Sequence, residues 1–289
     1  MIKKDFILFT TCEPVNEARV AELKRLMNSV DKSFNADGIS AIHVILLQST
    51  TQIPFETEPY LQTGARHFLT IDRRVSLSKA RNIMIEFAIS NALLDQAELC
   101  AFPDDDAWYP DGFMKQTTSY FSLNKNQDIL ITKYGSKPIS NPNFDELKKT
   151  VTIQPSSFIR NTSSNTLFIR TALVKSVGLF DEKLGLGAEI NGGEDLDYGL
   201  RAFCLSNKPI AFFPEVLVGH RDPMRWVVSK YYSGSLYAIG KSASSSPKLA
   251  FQFIRKIAVG IYLVITNQLA FTEFRKGTMQ AIKAAVNKG

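Results

Sequence analysis

The stretch Glu98-Leu99-Cys100-Ala101-Phe102-Pro103-Asp104-Asp105-Asp106 decides how this chain folds. Its first five residues are a short strand, and it ends in three consecutive aspartates. Like charges in a row repel and weaken a fold unless something positive binds them. A hard divalent cation held by carboxylate oxygens meets that need, and Mg2+ typically brings substrate phosphates in as further ligands. Mn2+ suits the same donors. Alternate side chains of an extended segment share a side, so Asp104 and Asp106 face one site while Asp105 points elsewhere. The bland alternative is an acidic cap on a helix starting near Pro110, but one cap needs one aspartate and not three.

Upstream, strand-like and helix-like segments alternate. Residues 5–11 (DFILFTT) form an apolar strand, and 16–33 a helix with Val20, Leu23, Met27 and Val30 on one face. Residues 40–48 (SAIHVILLQ) and 66–71 (RHFLTI) are further strands, and Ser78 to Leu94 a helix with Ile83, Phe87 and Leu94 inward. Continuous apolar strands alternating with helices predict an α/β fold: a mostly parallel sheet covered on both faces. Ligands of such sheets bind beyond the carboxyl ends of the strands, where the aspartates sit.

Downstream, residues 135–162 lack a clear period and read as a long loop with room for a short strand. A strand (166–170, TLFIR), a helix (172–177), a Gly-rich stretch (185–193) and a helix opening at Glu194 follow. Two short strands, PIAFF and one ending at His220, complete this part. Beyond it Leu249, Ala250, Phe253, Ile254, Ile257, Ala258, Ile261 and Ile265 recur at helical spacing.

Net charge is +6, yet residues 221–289 alone carry +9, so the first 220 carry −3. That asymmetry predicts an anionic partner, nucleic acid or membrane surface, or else a solvated basic face. The uncharged run Ile257–Thr272 falls short of the ~20 residues that span a bilayer. A basic amphipathic helix lying in the membrane interface and a helical lid on the catalytic domain both fit. No nucleic-acid motif is recognisable. Cys12, Cys100 and Cys204 show no metal-ligand spacing and read as buried thiols of a reducing cytosol. The N-terminal MIKKDFILFTT reads as a first strand and not a signal peptide.

Three further segments carry candidate chemistry. In GGEDLDYGLRA, Gly192 and Gly193 allow close backbone approach to a ligand, and Glu194, Asp195 and Asp197 cluster at a helix N-terminus. A carboxylate held ionised there is placed to act as a general base toward a hydroxyl, though a capped amphipathic helix explains the pattern equally well. Ser78-Lys79-Ala80-Arg81-Asn82 opens a helix whose free N–H groups, with Arg81, suit a phosphate. His220 at a strand end is a structural histidine or a metal ligand.

The ordered set of a first strand, SKARN, FPDDDAWYP, SSNTLFIR, VGLFDE, GGEDLDYGLRA and a strand ending in VGH resembles the family-2 inverting glycosyltransferases with the GT-A fold, over roughly residues 5–222. The GLGAEINGGED form resembles members acting on bacterial surface polysaccharides. The resemblance implies a GT-A catalytic domain over 1–222, with a nucleotide-binding half (1–108) and an acceptor half (109–222), followed by a basic helical extension (223–289). It implies Asp195 as catalytic base and Asp106 with His220 as ligands of Mn2+ or Mg2+. Thr10, Glu13, Gln48, Arg81, Asp104 and Asp105 would lie at the donor, and Trp108, Asn165, Gly193 and Glu194 at the sugar or acceptor. Gln48 stands where the family usually has a uracil-recognising aspartate, which puts the uridine donor in question. The implied partners are a nucleotide-sugar donor and a saccharide or lipid-linked saccharide acceptor, with the enzyme cytoplasmic and peripheral on the inner membrane face. Two rivals are a sugar nucleotidyltransferase, against which the TTCEPVNEA segment lacks a Gly-rich phosphate loop, and a non-catalytic carbohydrate-binding protein of the same fold.

Overall fold

The computed structural model describes residues 3–57, 64–147, 153–222 and 227–286. The described residues form a seven-stranded sheet of order β3-β2-β1-β4-β6-β5-β7. The strands are β1 (Lys4–Cys12), β2 (Ala41–Leu47), β3 (Gly64–Thr70), β4 (Ala97–Ala101), β5 (Ile129–Gly135), β6 (Leu167–Arg170) and β7 (Ala211–Gly219). β6 runs against its neighbours β4 and β5, and the other pairs are parallel. The mostly parallel α/β sheet predicted from the sequence is therefore present, as a mixed sheet.

Strand alternation explains why both faces are covered. Ile7 and Phe9 of β1, Cys100 and the adjoining Phe102 enter one core with helices α2 (Leu77–Ser90), α5 (Thr171–Val177) and α6 (Glu194–Leu205). Phe6, Leu8, Leu99 and Ala101 enter the opposite core with α1 (Glu17–Asp37) and α3 (Phe113–Leu123). With apolar residues on both sides, β1 and β4 do not show the polar alternation of a solvated sheet.

Several boundaries differ from the sequence expectation. α1 runs on to Asp37 and stops at Gly38, whose φ of 71° suits a residue without a side chain. α2 is capped by Ser76, buries Ala80, Met84, Ile85 and Ala88, and ends at Ser90. Leu94 therefore lies in a separate 3-10 turn, and Ile83 and Phe87 pack only partly buried against the core. The long loop ends in a short helix, α4 (Pro155–Asn161), and shows no strand among its described residues beyond Gly135; 148–152 lie outside them. PIAFF and the strand before His220 are one strand, β7, with register shifts against β5 around Lys133. Cys12 and Cys100 are buried as expected, whereas Cys204 on α6 is exposed.

The C-terminal helices are α7 (Val227–Lys230), α8 (Tyr232–Ser242), α9 (Pro247–Ile265) and α10 (Phe271–Val286). Ala238, Ile239 and Leu249 join the core shared by α2, α5 and α6, so α8 and the start of α9 pack on the sheet domain. Among the described residues no helix is long and apolar enough to cross a membrane.

Candidate active site

Beyond β4 the chain turns at Asp105 and Asp106, and Asp105 parts from the other two aspartates. Asp105 turns back toward α1, where both its oxygens accept from Arg19 NH2 at 2.6 Å. Burial outweighs that pairing and lifts its pKa to about 6. Asp106 lies on the other side, 3.0 Å from His220 Nε2 and 2.5 Å from Arg221 NH2. Burial alone would raise Asp106, but His220 and Arg221 hold it at about 2. For His220, burial opposes the charged form and is outweighed by Asp106 and Asp104, so its pKa rises. The same helix fixes the backbone, since Arg25 of α1 donates to the Asp106 carbonyl at 2.6 Å and stacks on Trp108 at 4.0 Å.

Asp104 is clamped from below by Asn165. The Asp104 N–H donates to Asn165 Oδ1 and Asn165 Nδ2 donates to Asp104 Oδ2, each at 2.8 Å. Asn165 is buried and its amide serves Asp104, which makes it a positioning residue for the carboxylate. The 3-10 turn Ser164–Thr166 before β6 delivers it there. Asp104, Asp106 and His220 each offer one ligand atom, all within 4.8 Å of one another. Two carboxylate oxygens and an imidazole nitrogen form a donor set able to hold a divalent cation.

Arg81 joins this cluster to α6. The buried guanidinium donates to Asp195 Oδ1 through one arm and lies 3.4 Å from Asp104 Oδ1 through the other. Ser164 repeats the connection, its N–H reaching Asp195 Oδ2 at 2.9 Å and its hydroxyl Asp104 Oδ1 at 3.3 Å. Asp195 is therefore oriented at both oxygens, at the N-terminus of α6 where the helix dipole favours a carboxylate. Beside it Glu194 is buried; desolvation and the charge of Asp195 raise its pKa to about 7.

Other candidates serve the framework. Thr10 is fully buried and donates to the Pro103 carbonyl, with His43 Nε2 3.0 Å from its hydroxyl. Gln48 donates to Thr11 Oγ1 at 2.9 Å and accepts from the Val75 N–H at 2.8 Å, so both ends of its amide hold the chain. Glu13, on the rim after β1, accepts from Ser49 and pairs with Arg74 at 3.4 Å. Trp108 bridges to Gly219 and lies where a Cβ on Gly219 would be. Gly193 does make a close approach, but to the backbone of Gly234 on α8, which a Cβ would meet at 2.3 Å.

The α2 N-terminus is likewise engaged, by the Gly-rich loop: Leu77 N–H donates to the Leu186 carbonyl and Ser78 Oγ to that of Leu184. Asn82 fastens the VGLFDE segment, bonding Phe180 at both backbone groups and Glu182. SKARN thus holds two neighbouring loops and aims Arg81 inward. Sequence patterns gave no sign of Ser164, Arg19, Arg25 or Arg221. Their roles depend on partners far along the chain, and only SSNT, next to Asn165, hinted at the first.

No family profile matches the sequence, and no curated protein does. Solved structures do resemble it. S. aureus TarS 1-349 superposes with a TM-score of 0.68 at 17% identity, covering 98% of this chain and 82% of that one. TarS 1-349 in complex with UDP-GlcNAc gives 0.67 at 16% identity over 98% and 81%. GalNAc-T7 with UDP, GalNAc and Mn2+ gives 0.52 at 13% identity over 82% and 48%. At these identities the likeness establishes architecture, and the chain has the GT-A fold of these structures.

Proposed function

We propose that the chain is a metal-dependent glycosyltransferase that moves a sugar from a nucleotide diphosphate sugar to a hydroxyl of a saccharide acceptor, with inversion at the anomeric carbon. One observation carries this: Arg81 and Ser164 tie Asp195 to Asp104, which belongs with Asp106 and His220 to a metal-competent cluster at a strand end. A donor carboxylate cluster and a candidate base thus share one rigid floor. The neighbours holding UDP, UDP-GlcNAc or UDP with Mn2+ support a uridine donor.

Asp104, Asp106 and His220 would hold Mn2+ or Mg2+, which when bound supplies Lewis acidity toward the leaving diphosphate. Asp195 accepts the proton of the acceptor hydroxyl as that oxygen bonds to the anomeric carbon. The bond from that carbon to the diphosphate oxygen breaks, the nucleoside diphosphate leaves, and an α-linked donor gives a β-linked product. Arg81 and the Ser164 N–H keep the Asp195 carboxylate aimed through this exchange. Residues 1–222 are the catalytic domain in this scheme and 223–289 its helical extension; the boundary at 223–226 lies outside the described residues. The acceptor is a lipid-linked saccharide of bacterial surface-polysaccharide synthesis, handled in the cytoplasm.

A thermal-shift screen of nucleoside diphosphates and nucleotide sugars, with and without Mn2+ or Mg2+, tests the proposal. A specific ligand at 100 times its Kd stabilises by about 2.7 kcal/mol. A metal-dependent shift with UDP or a UDP-sugar is expected. No shift with any nucleotide would favour the non-catalytic reading, and pyrophosphate release from a nucleoside triphosphate and a sugar phosphate would favour the nucleotidyltransferase.

A further inference from the structure

α9 carries bulky apolar side chains on its outer side as well as its inner one. Its buried residues are Leu249, Gln252, Gly260 and Leu263, a stripe that includes an amide and a glycine. On the opposite side Phe251, Ile254, Ile261, Tyr262 and Ile265 are between 48% and 74% exposed. A helix that only closes a domain keeps its apolar residues on the inner face; α9 packs Leu249, Phe253, Ile257, Leu263 and Val264 inward and carries a second apolar face outward. Lys248 and Arg255 are exposed along one flank of the stripe, and Pro247–Ile265 contains no Asp or Glu. α10 extends the character with exposed Phe271, Ile282 and Val286 beside Arg275, Lys276 and Lys283.

We infer that the outward face of α9 docks on a bilayer containing anionic lipid. Phe251, Ile254, Ile261 and Ile265 enter the boundary between headgroups and acyl chains, and Lys248 and Arg255 meet lipid phosphates. The helix is too short on apolar residues to cross, so it lies along the surface. Charge selects lipid over a second copy of the chain. A symmetric self-contact would set this cationic face against itself, with no acidic residue on α9 to pair with it. The +9 carried by residues 221–289 acts in the same direction.

Docking would also orient the active site. Tyr231 packs against Gly192, beside the α6 N-terminus, and the adjacent Tyr232 packs against Gly260 and donates to the Lys256 carbonyl at 3.1 Å. Two consecutive tyrosines thus connect the loop before Asp195 to the inner side of α9. The inference stands on the α9 face alone and does not require the sugar-transfer reading.

Co-sedimentation of the full chain with phosphatidylcholine vesicles, with and without phosphatidylglycerol, tests it. Binding to the anionic vesicles, ~10-fold weaker to phosphatidylcholine alone and weakened by salt, is expected. Ile254→Glu with Ile261→Glu should abolish binding while melting temperature and the nucleotide-induced shift stay at wild-type values. Lys248→Gln with Arg255→Gln should remove the preference for anionic lipid. Absence of wild-type binding, or binding that survives the glutamate pair, would overturn the inference. So would a wild-type dimer in sedimentation velocity that the glutamate pair dissociates. Because the nucleotide shift is read separately, loss of that shift tests the catalytic reading and not this one.

Discussion

Asn165 and Asp104 are joined by two reciprocal hydrogen bonds of 2.8 Å, amide oxygen to backbone N–H and amide nitrogen to carboxylate. The pair fixes where the first aspartate points before any ligand arrives. Asn165→Ala leaves the Asp104 N–H and one carboxylate oxygen short of a partner, at a cost of about 1–3 kcal/mol. The expected outcome is a lower melting temperature together with weaker UDP binding in calorimetry. A melting temperature and affinity equal to wild type would show that the clamp does nothing.

The aspartates should separate functionally. Asp106 faces His220 and Asp104, whereas Asp105 faces Arg19. Loss of a residue that merely supports a metal ligand costs about 10–100-fold in affinity, and Asp106→Asn should cost at least that for Mn2+. Asp105→Asn should leave Mn2+ affinity unchanged. Titration of Mn2+ followed by electron paramagnetic resonance distinguishes the two.

Gly193 and Gly38 both have positive φ, at 83° and 71°, but differ in surroundings. Nothing lies within 4 Å of a Cβ on Gly38, while one on Gly193 would sit 2.3 Å from the Gly234 carbonyl. Gly38→Ala should cost only the left-handed strain of about 1–2 kcal/mol. Gly193→Ala must also push α8 away from α6, and its loss of stability in urea unfolding should be clearly larger.

In the metal-free protein Asp106 and Glu194 should make stability respond to pH in opposite directions. The Asp106 pKa is depressed to about 2, so its contribution is present above the unfolded value and is lost as pH falls through about 2. The Glu194 pKa is raised to about 7, so its neutral form is favoured and stability falls as pH rises toward about 7. Relative to wild type, Glu194→Gln should therefore gain stability as pH rises from about 5 to about 7 in EDTA and level off above that, by an amount bounded at about 3 kcal/mol. A constant difference across that range would contradict the assignment.

Much of the sheet was legible because DFILFTT, SAIHVILLQ and ELCAF are apolar at most buried positions, Thr10, His43 and Gln48 being the polar ones, and are separated by helical spacing. The end of β4 was legible for a different reason, the isolated cost of three adjacent carboxylates. Asp104 and Asp106 do meet, with Asp105 turned away, but a turn closed by the Ala107 N–H on the Asp104 carbonyl brings them together and not the alternation of an extended segment. Partner choice was not legible. Gln48 and Asn165 carry the same amide, and only contacts 27 and 61 residues away show that one holds Val75 and the other Asp104. Gly193 likewise announced a close approach without naming Gly234, since glycine reports a backbone demand and not its source. The merged strand β7 was hidden by Pro214 and the bulge around it, which break the period where PIAFF ends.

The most direct measurement is the turnover of Asp195→Asn, with UDP-sugar binding read by calorimetry on the same sample. Asparagine keeps the shape and the Ser164 contact but cannot accept the acceptor's proton, and loss of a general base typically costs about 100–10,000-fold. Binding in the presence of Mn2+ close to wild type, with turnover reduced by that factor, is the predicted result. Turnover equal to wild type would contradict the account, because Asp195 would then not be the base.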